Sequence, residues 1–153
     1  MNSIEIKSKS EKETQQIGSL FSQNLKGNEL ILLFGNIGAG KTTFTQGLLR
    51  GLGYEGWGRS PTFVLINEYN LKHKVEHMDF YRLNKTSELI ELGLEEYLDS
   101  DSVKIIEWPE LSTPLLPHNS IDISISQKSN SERLLKINVK NIQNSYLLKS
   151  LKS

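Results

Sequence analysis

The chain has 153 residues, with 18 Lys and Arg balanced by 18 Asp and Glu, and no cysteine. That length suits one domain with a full core, residues 1–153, and is short for two; the zero net charge gives no global field for nucleic acid; and the missing cysteines exclude disulfides and thiolate metal centres, which fits a reducing interior. The opening MNSIEIKSKSEKE is too polar for a signal core and no apolar run reaches bilayer length, so a cytoplasmic protein without a membrane partner is expected.

In chain order, Ile4-Glu5-Ile6 alternates as a short strand, and Ser10 followed by Glu-Lys-Glu reads as a helix start. Residues Glu11 to Leu25 place Ile17, Leu20, Phe21 and Leu25 on one helical stripe, ended by Lys26-Gly27-Asn28. Glu29 to Phe34, apolar after its first residue, predicts a strand covered on both faces, central and parallel. Thr42 to Leu52 predicts a helix with Phe44, Leu48 and Leu49 inward. The glycine-rich stretch from Gly53 to Pro61 predicts a mobile loop. Phe63–Leu71 and Val75–Tyr81 form an expected antiparallel hairpin, and Ser87–Leu98 one or two short helices broken at Gly93. Val103 to Trp108 is a second buried strand, Ile121–Ser126 and Leu134–Val139 are two more, and Tyr146–Leu151 closes the chain as an amphipathic helix. The sum is an α/β three-layer sandwich with a mixed central sheet.

Between the strand ending at Phe34 and the helix beginning near Thr42 stands GNIGAGKTT, residues 35 to 43. Gly35, Gly40, Lys41 and Thr42 satisfy GxxxxGK(S/T), with Gly38 in addition, in the strand-turn-helix setting that gives the pattern its meaning. Glycines let the backbone curl so that successive N–H groups face a phosphate at the positive end of a helix. The expected binding loop therefore comprises Asn36, Ile37, Gly38, Ala39, Gly40, Lys41, Thr42 and Thr43, with Lys41 on the β- and γ-phosphates of ATP and Thr42 on Mg2+. Such a loop needs a carboxylate on a neighbouring strand, and two strands end in one: Glu107 after Val103-Lys-Ile-Ile106, and Asp79 in His77-Met-Asp-Phe-Tyr-Arg82.

Taken together, Gly35 to Thr43, Ser60-Pro-Thr-Phe63 with Glu68-Tyr69, His77 to Leu83, Glu91-Leu-Gly-Leu-Glu-Glu-Tyr97 and Ile106-Glu-Trp-Pro-Glu110 resemble, in order and spacing, the bacterial TsaE family. The resemblance covers about residues 28 to 111 and is far more specific than a phosphate loop alone. It implies a small P-loop ATPase of tRNA threonylcarbamoyladenosine (t6A) biosynthesis, an accessory subunit that acts with the TsaD and TsaB proteins, reaches tRNA only through that complex, and resets it by ATP hydrolysis. It implies Lys41 on the phosphates, Thr42 and Glu107 holding Mg2+, and Asp79 near the γ-phosphate. Ser60, Pro61 and Thr62 then occupy a switch-like loop that senses the γ-phosphate. Pro61 makes Ser60 extended and delivers Thr62 to a strand start, which suits that role in part. One departure is Asn36, where relatives commonly carry Asp, so any carboxylate role there is lost.

The other candidates are divided between site and scaffold. Trp108 packs over the nucleotide or at a partner surface, or is a half-buried aromatic at a strand end; Trp57, a large aromatic among glycines, suggests a binding role; Tyr81 and Arg82 support the site or dock a partner, or are a cross-strand aromatic and a solvated arginine; His73, His77 and His118 lack metal spacing and read as structural. Lys149 and Lys152 are one solvated face, and the family's layout implies the stretch around Glu11 to Thr14 as a candidate for adenine. No arginine is clearly placed to act on the γ-phosphate, so hydrolysis by the isolated chain is expected to be slow. A small-molecule P-loop kinase and a nucleotide-binding scaffold without turnover remain as alternatives, the first disfavoured because no arginine lies between Glu107 and Arg133.

Overall fold

The computed structural model describes residues 2–56 and 65–151. The expected switch loop, with Trp57, Ser60, Pro61 and Thr62, lies outside the described residues, as do Phe63 at the start of the expected hairpin and Lys152 at the end of the chain.

The elements are β1 (Ser3–Ser8), α1 (Glu11–Ser22), β2 (Leu30–Phe34), α2 (Lys41–Gly51), β3 (Ile66–Asn70), β4 (Lys74–Asp79), α3 (Thr86–Glu91), α4 (Leu94–Leu98), β5 (Val103–Glu107), β6 (Ile121–Gln127) and β7 (Arg133–Val139), with 3-10 helices at Pro109–Leu115 and Ile142–Leu151. The strands form one seven-stranded sheet in the order β1-β7-β6-β2-β5-β4-β3. Its centre is parallel, with β2 between β5 and β6 and β4 beside β5, and its flanks are antiparallel. The apolar run of β2 is buried on both faces because helices cover both. Ile31 and Leu33 face a core with Phe21, Phe44, Leu48 and Leu147, while Leu30 and Leu32 face a second with Met78, Leu89, Leu94 and Ile106. These are the three layers of the α/β sandwich that the pattern predicts.

α1 starts where Ser10 accepts a hydrogen bond from the Glu13 amide, a side-chain N-cap. Its stripe is narrower than predicted: Ile17, Phe21 and Leu25 are buried, but Leu20 is 48% exposed. The reason is the tight approach of α1 to α2. A Cβ on Gly47 would stand 2.0 Å from the Gln15 carbonyl oxygen, and one on Gly18 2.4 Å from that of Phe44. The two helices therefore touch backbone to backbone through a narrow seam, which leaves no room for a wide apolar face and turns Leu20 outward. This seam holds α2, whose first turn begins at Lys41, against the sheet. At the chain's end the expected amphipathic helix is wound as a 3-10 helix; it still buries Leu147, Leu148 and Leu151. Tyr146 donates its hydroxyl proton to Glu29 at 2.7 Å, tying that helix to the entry of β2.

Candidate functional site

Because β2, β4 and β5 run parallel, their carboxyl ends lie side by side, the place where open α/β sheets form ligand crevices. Residue pairing makes this specific: Leu33 is opposite Glu107, and Glu107 is opposite Asp79. The loop after β2 and the last residues of β4 and β5 thus meet at one cleft of about 430 Å3. Gly38, Gly40, Lys41, Thr42, Asp79 and Glu107 all line it. Ile37 and Thr43 line it too, Ile37 being 71% exposed at the tip of the loop. Asn36 and Ala39 belong to the loop but are not among the lining residues; the Ala39 methyl lies under Gly35, 3.1 Å from where a Cβ there would sit.

The loop has the backbone that its glycines permit. Gly35, Gly38 and Gly40 have φ of 153°, 80° and 113°, values that side-chain-bearing residues rarely adopt. A Cβ on Gly35 would also press within 2.6 Å of the Ile125 carbonyl oxygen, so the loop is seated against the end of β6. Gly40 caps α2 without any side-chain hydrogen bond. The first N–H groups of a helix have no partner within it, so an uncapped start facing a cleft is a site for an anion.

Lys41 brings a cation to the cleft. Its Nζ donates to the Gly35 carbonyl at 2.6 Å and lies 3.4 Å from the centroid of the Trp108 ring. Burial lowers the pKa of this ammonium, against the opposing pull of Glu107, Asp79 and Glu110. Trp108 has φ 56°, left-handed, and among the described residues no other non-glycine has positive φ. That conformation costs about 1–2 kcal/mol, so the surrounding contacts must hold it. It turns the indole over Lys41 and against Tyr81, whose ring centroid is 4.8 Å away. Trp108 thus both follows the end of β5 and lines the cleft. Tyr81 joins it there, and its amide donates to Asp79 Oδ1 at 2.9 Å.

Glu107 is buried and its Oε2 accepts from His77 Nε2 at 2.6 Å. His77 stands two residues before Asp79 on β4 and reaches Glu107 because β4 and β5 are adjacent and parallel. Its other ring nitrogen, Nδ1, is buried with no partner among the described residues. His77 therefore serves the site by holding a carboxylate, which spacing along the chain does not disclose. His73 is structural as expected, bonding through Nε2 to the Leu25 carbonyl at 2.9 Å.

A second residue missed by sequence reasoning is Arg133, at the start of β7. It lines the cleft and donates from Nε to the Ala39 carbonyl at 2.9 Å and from Nη2 to that of Gly38 at 3.3 Å. An arginine is thus placed at the phosphate loop after all, reached across the sheet order β7-β6-β2. Glu11 and Thr14 of α1 also line the cleft.

The residues present fit a nucleoside triphosphate: an uncapped helix start, a glycine-built concavity, a lysine and a cleft of suitable size. They also fit magnesium in its usual manner. Among the described residues no three His, Asp or Glu side chains converge to cage an ion; Mg2+ is ordinarily held by one or two protein oxygens together with substrate phosphates. Thr42, Glu107 and Asp79 supply such oxygens at the cleft. Among the described residues, no helix is long and apolar enough to cross a membrane.

The chain is similar to known proteins of one family. The family described as "Threonylcarbamoyl adenosine biosynthesis protein TsaE" matches residues 8–135. The tRNA threonylcarbamoyladenosine biosynthesis protein TsaE of Haemophilus influenzae is 42% identical over 97 residues, which are 63% of this chain and 61% of that protein. The corresponding protein of Rickettsia prowazekii is 38% identical over 134 residues, 86% of this chain and 92% of that one. In three dimensions the chain is similar to the crystal structure of Bacillus subtilis YdiB, with a TM-score of 0.84, 29% identity and coverage of 97% of this chain and 93% of that one. The chain belongs to the TsaE family of tRNA t6A biosynthesis proteins.

Proposed function

We propose that this chain is a magnesium-dependent ATPase subunit of the t6A modification machinery, which spends ATP to drive the cycle of a TsaD–TsaB transferase. The observation that carries the reading is the meeting of the phosphate loop with Lys41, Asp79 and Glu107 in one cleft. The overall reaction is ATP plus water giving ADP, phosphate and a proton. The loop amides up to residue 42, apart from that of Ala39, which the Asn36 carbonyl holds, receive the phosphate tail, and Lys41 gives up its contact with Gly35 to reach the β- and γ-phosphate oxygens. Thr42 and Glu107 hold the metal, and Asp79 orients the attacking water. Bound Mg2+ supplies charge neutralisation on the phosphate oxygens. Thr62 is assigned to the γ-phosphate by family resemblance. Adenine lies toward Glu11 and Thr14.

Hydrolysis by the isolated chain is slow on this reading. Arg133 is the one arginine that lines the cleft among the described residues, and its N–H groups are engaged by main-chain carbonyls. A cation that leans on the transition state must then come from a partner, an effect on the order of a thousandfold or more where it operates. The test is ATP turnover by the chain alone and with purified TsaD and TsaB. Stimulation by the pair supports the reading and equal turnover contradicts it. Lys41→Ala and Glu107→Ala both abolish the stimulated turnover if ATP is hydrolysed here, whereas a non-hydrolysing scaffold keeps its assembly function in Glu107→Ala.

A further inference from the structure

We propose that Arg133 is a positioning residue for phosphate binding, acting through the outward-facing carbonyls of the phosphate loop. A trans peptide points its C=O and the following N–H in opposite directions. A loop that turns its N–H groups toward an anion must therefore turn carbonyls away, and these need donors of their own. Arg133 supplies them. Nε donates to the Ala39 carbonyl at 2.9 Å and Nη2 to that of Gly38 at 3.3 Å. The bond to Ala39 fixes the peptide whose other end is the Gly40 N–H, at the turn where α2 begins. The Ala39 N–H is fixed separately by the Asn36 carbonyl at 3.0 Å.

The same guanidinium is itself anchored. Nη1 donates to the Ser129 and Glu132 carbonyls, both at 3.0 Å, so one side chain ties the β6–β7 turn to a loop 94 residues earlier in the chain. A planar fork with five N–H groups suits this task, and a lysine does not reproduce it. Among the described residues no carboxylate pairs with Arg133. Its charge therefore remains to polarise the peptides it holds and to favour an anion in the cleft it lines.

The proposal rests on the nucleotide-binding reading above, and the experiment separates the two. Titration calorimetry is run with Mg-ATP and with inorganic tripolyphosphate on the full chain, wild type and Arg133→Met, with circular dichroism confirming the fold. Wild-type protein is expected to bind both ligands. In Arg133→Met both affinities are expected to fall together, about tenfold or more, the equivalent of one hydrogen bond from a charged group. If Arg133 only anchored the β6–β7 turn, Mg-ATP would weaken while tripolyphosphate kept its wild-type affinity; that result, or no change in either, overturns the proposal. No binding of either ligand by wild type removes the nucleotide reading and the proposal with it. Should Arg133→Met fail to fold, Arg133→Lys carries the test: tripolyphosphate affinity several-fold below wild type supports the proposal, and wild-type affinity overturns it.

Discussion

His77 Nε2 donates to Glu107 Oε2 at 2.6 Å, and both side chains are buried. The ring determines where the carboxylate points, since a buried charge without such a donor loses far more than the bond itself contributes. His77→Phe keeps the ring volume and deletes the donor. It is expected to cost about 1–3 kcal/mol of stability and, on the function proposed above, to lower ATP turnover at least about tenfold. His77→Gln, which retains a donor, recovers part of both. Thermal denaturation and turnover check this; a His77→Phe protein with wild-type values in both contradicts it.

Trp108 reports on the cleft because Lys41 Nζ sits 3.4 Å from its ring centroid. The chain has two tryptophans, so Trp57→Phe leaves Trp108 as the sole emitter. In that background saturating Mg-ATP is expected to change the emission, because the ammonium leaves the indole for the phosphates. Lys41→Met should already show altered emission without ligand. Unchanged fluorescence at calorimetrically verified saturation contradicts the rearrangement.

What could be read from the sequence was what is local in it. The loop is nine contiguous residues between a run that can only be a buried strand and a helix, so its position and conformation were legible. Glu107 and Asp79 were legible as strand-end carboxylates beside such a loop. The bond from His77 to Glu107 was not, because it depends on the parallel register of β4 and β5, which no turn between them encodes. Arg133 was missed for the same reason: its distance of 94 residues from Ala39 is closed only by the strand order. Leu20 was assigned inward by its helical spacing, and the backbone contact of α1 with α2 at Gly47 overrode that pattern. The signal available was glycine inside a predicted helix, which weakens it unless something approaches closely.

That seam gives a stability prediction. Gly47→Ala forces a methyl to within 2.0 Å of the Gln15 carbonyl oxygen, both on helix backbone. The loss is expected to reach about 2 kcal/mol or more, despite the better helix propensity of alanine. Gly38→Ala meets nothing within 4 Å and suffers only from its φ of 80°, a cost of about 1–2 kcal/mol. Urea denaturation that finds Gly47→Ala as stable as wild type contradicts the close packing.

Acid sensitivity follows from Glu29. Burial pushes this carboxyl's pKa up, but the amides of Lys26 and Gly27, the Tyr146 hydroxyl and its own amide together pull it below the ordinary value. The folded state then holds its proton less readily than the unfolded chain. Its stabilising effect is present above the ordinary carboxyl value and is lost as pH falls through the lowered one. Glu29→Gln is expected to be about 1–3 kcal/mol less stable than wild type near pH 7, with a gap that narrows toward about pH 3. A gap that is the same at both pH values contradicts this role.

The account turns on a phosphate tail held by the amides before α2 and by Lys41. Its most direct test is calorimetric titration of Mg-ATP into wild type and Lys41→Ala. Saturable binding of one nucleotide per chain, lost in Lys41→Ala, is the predicted result; no binding by wild type, or equal binding by both proteins, would contradict it.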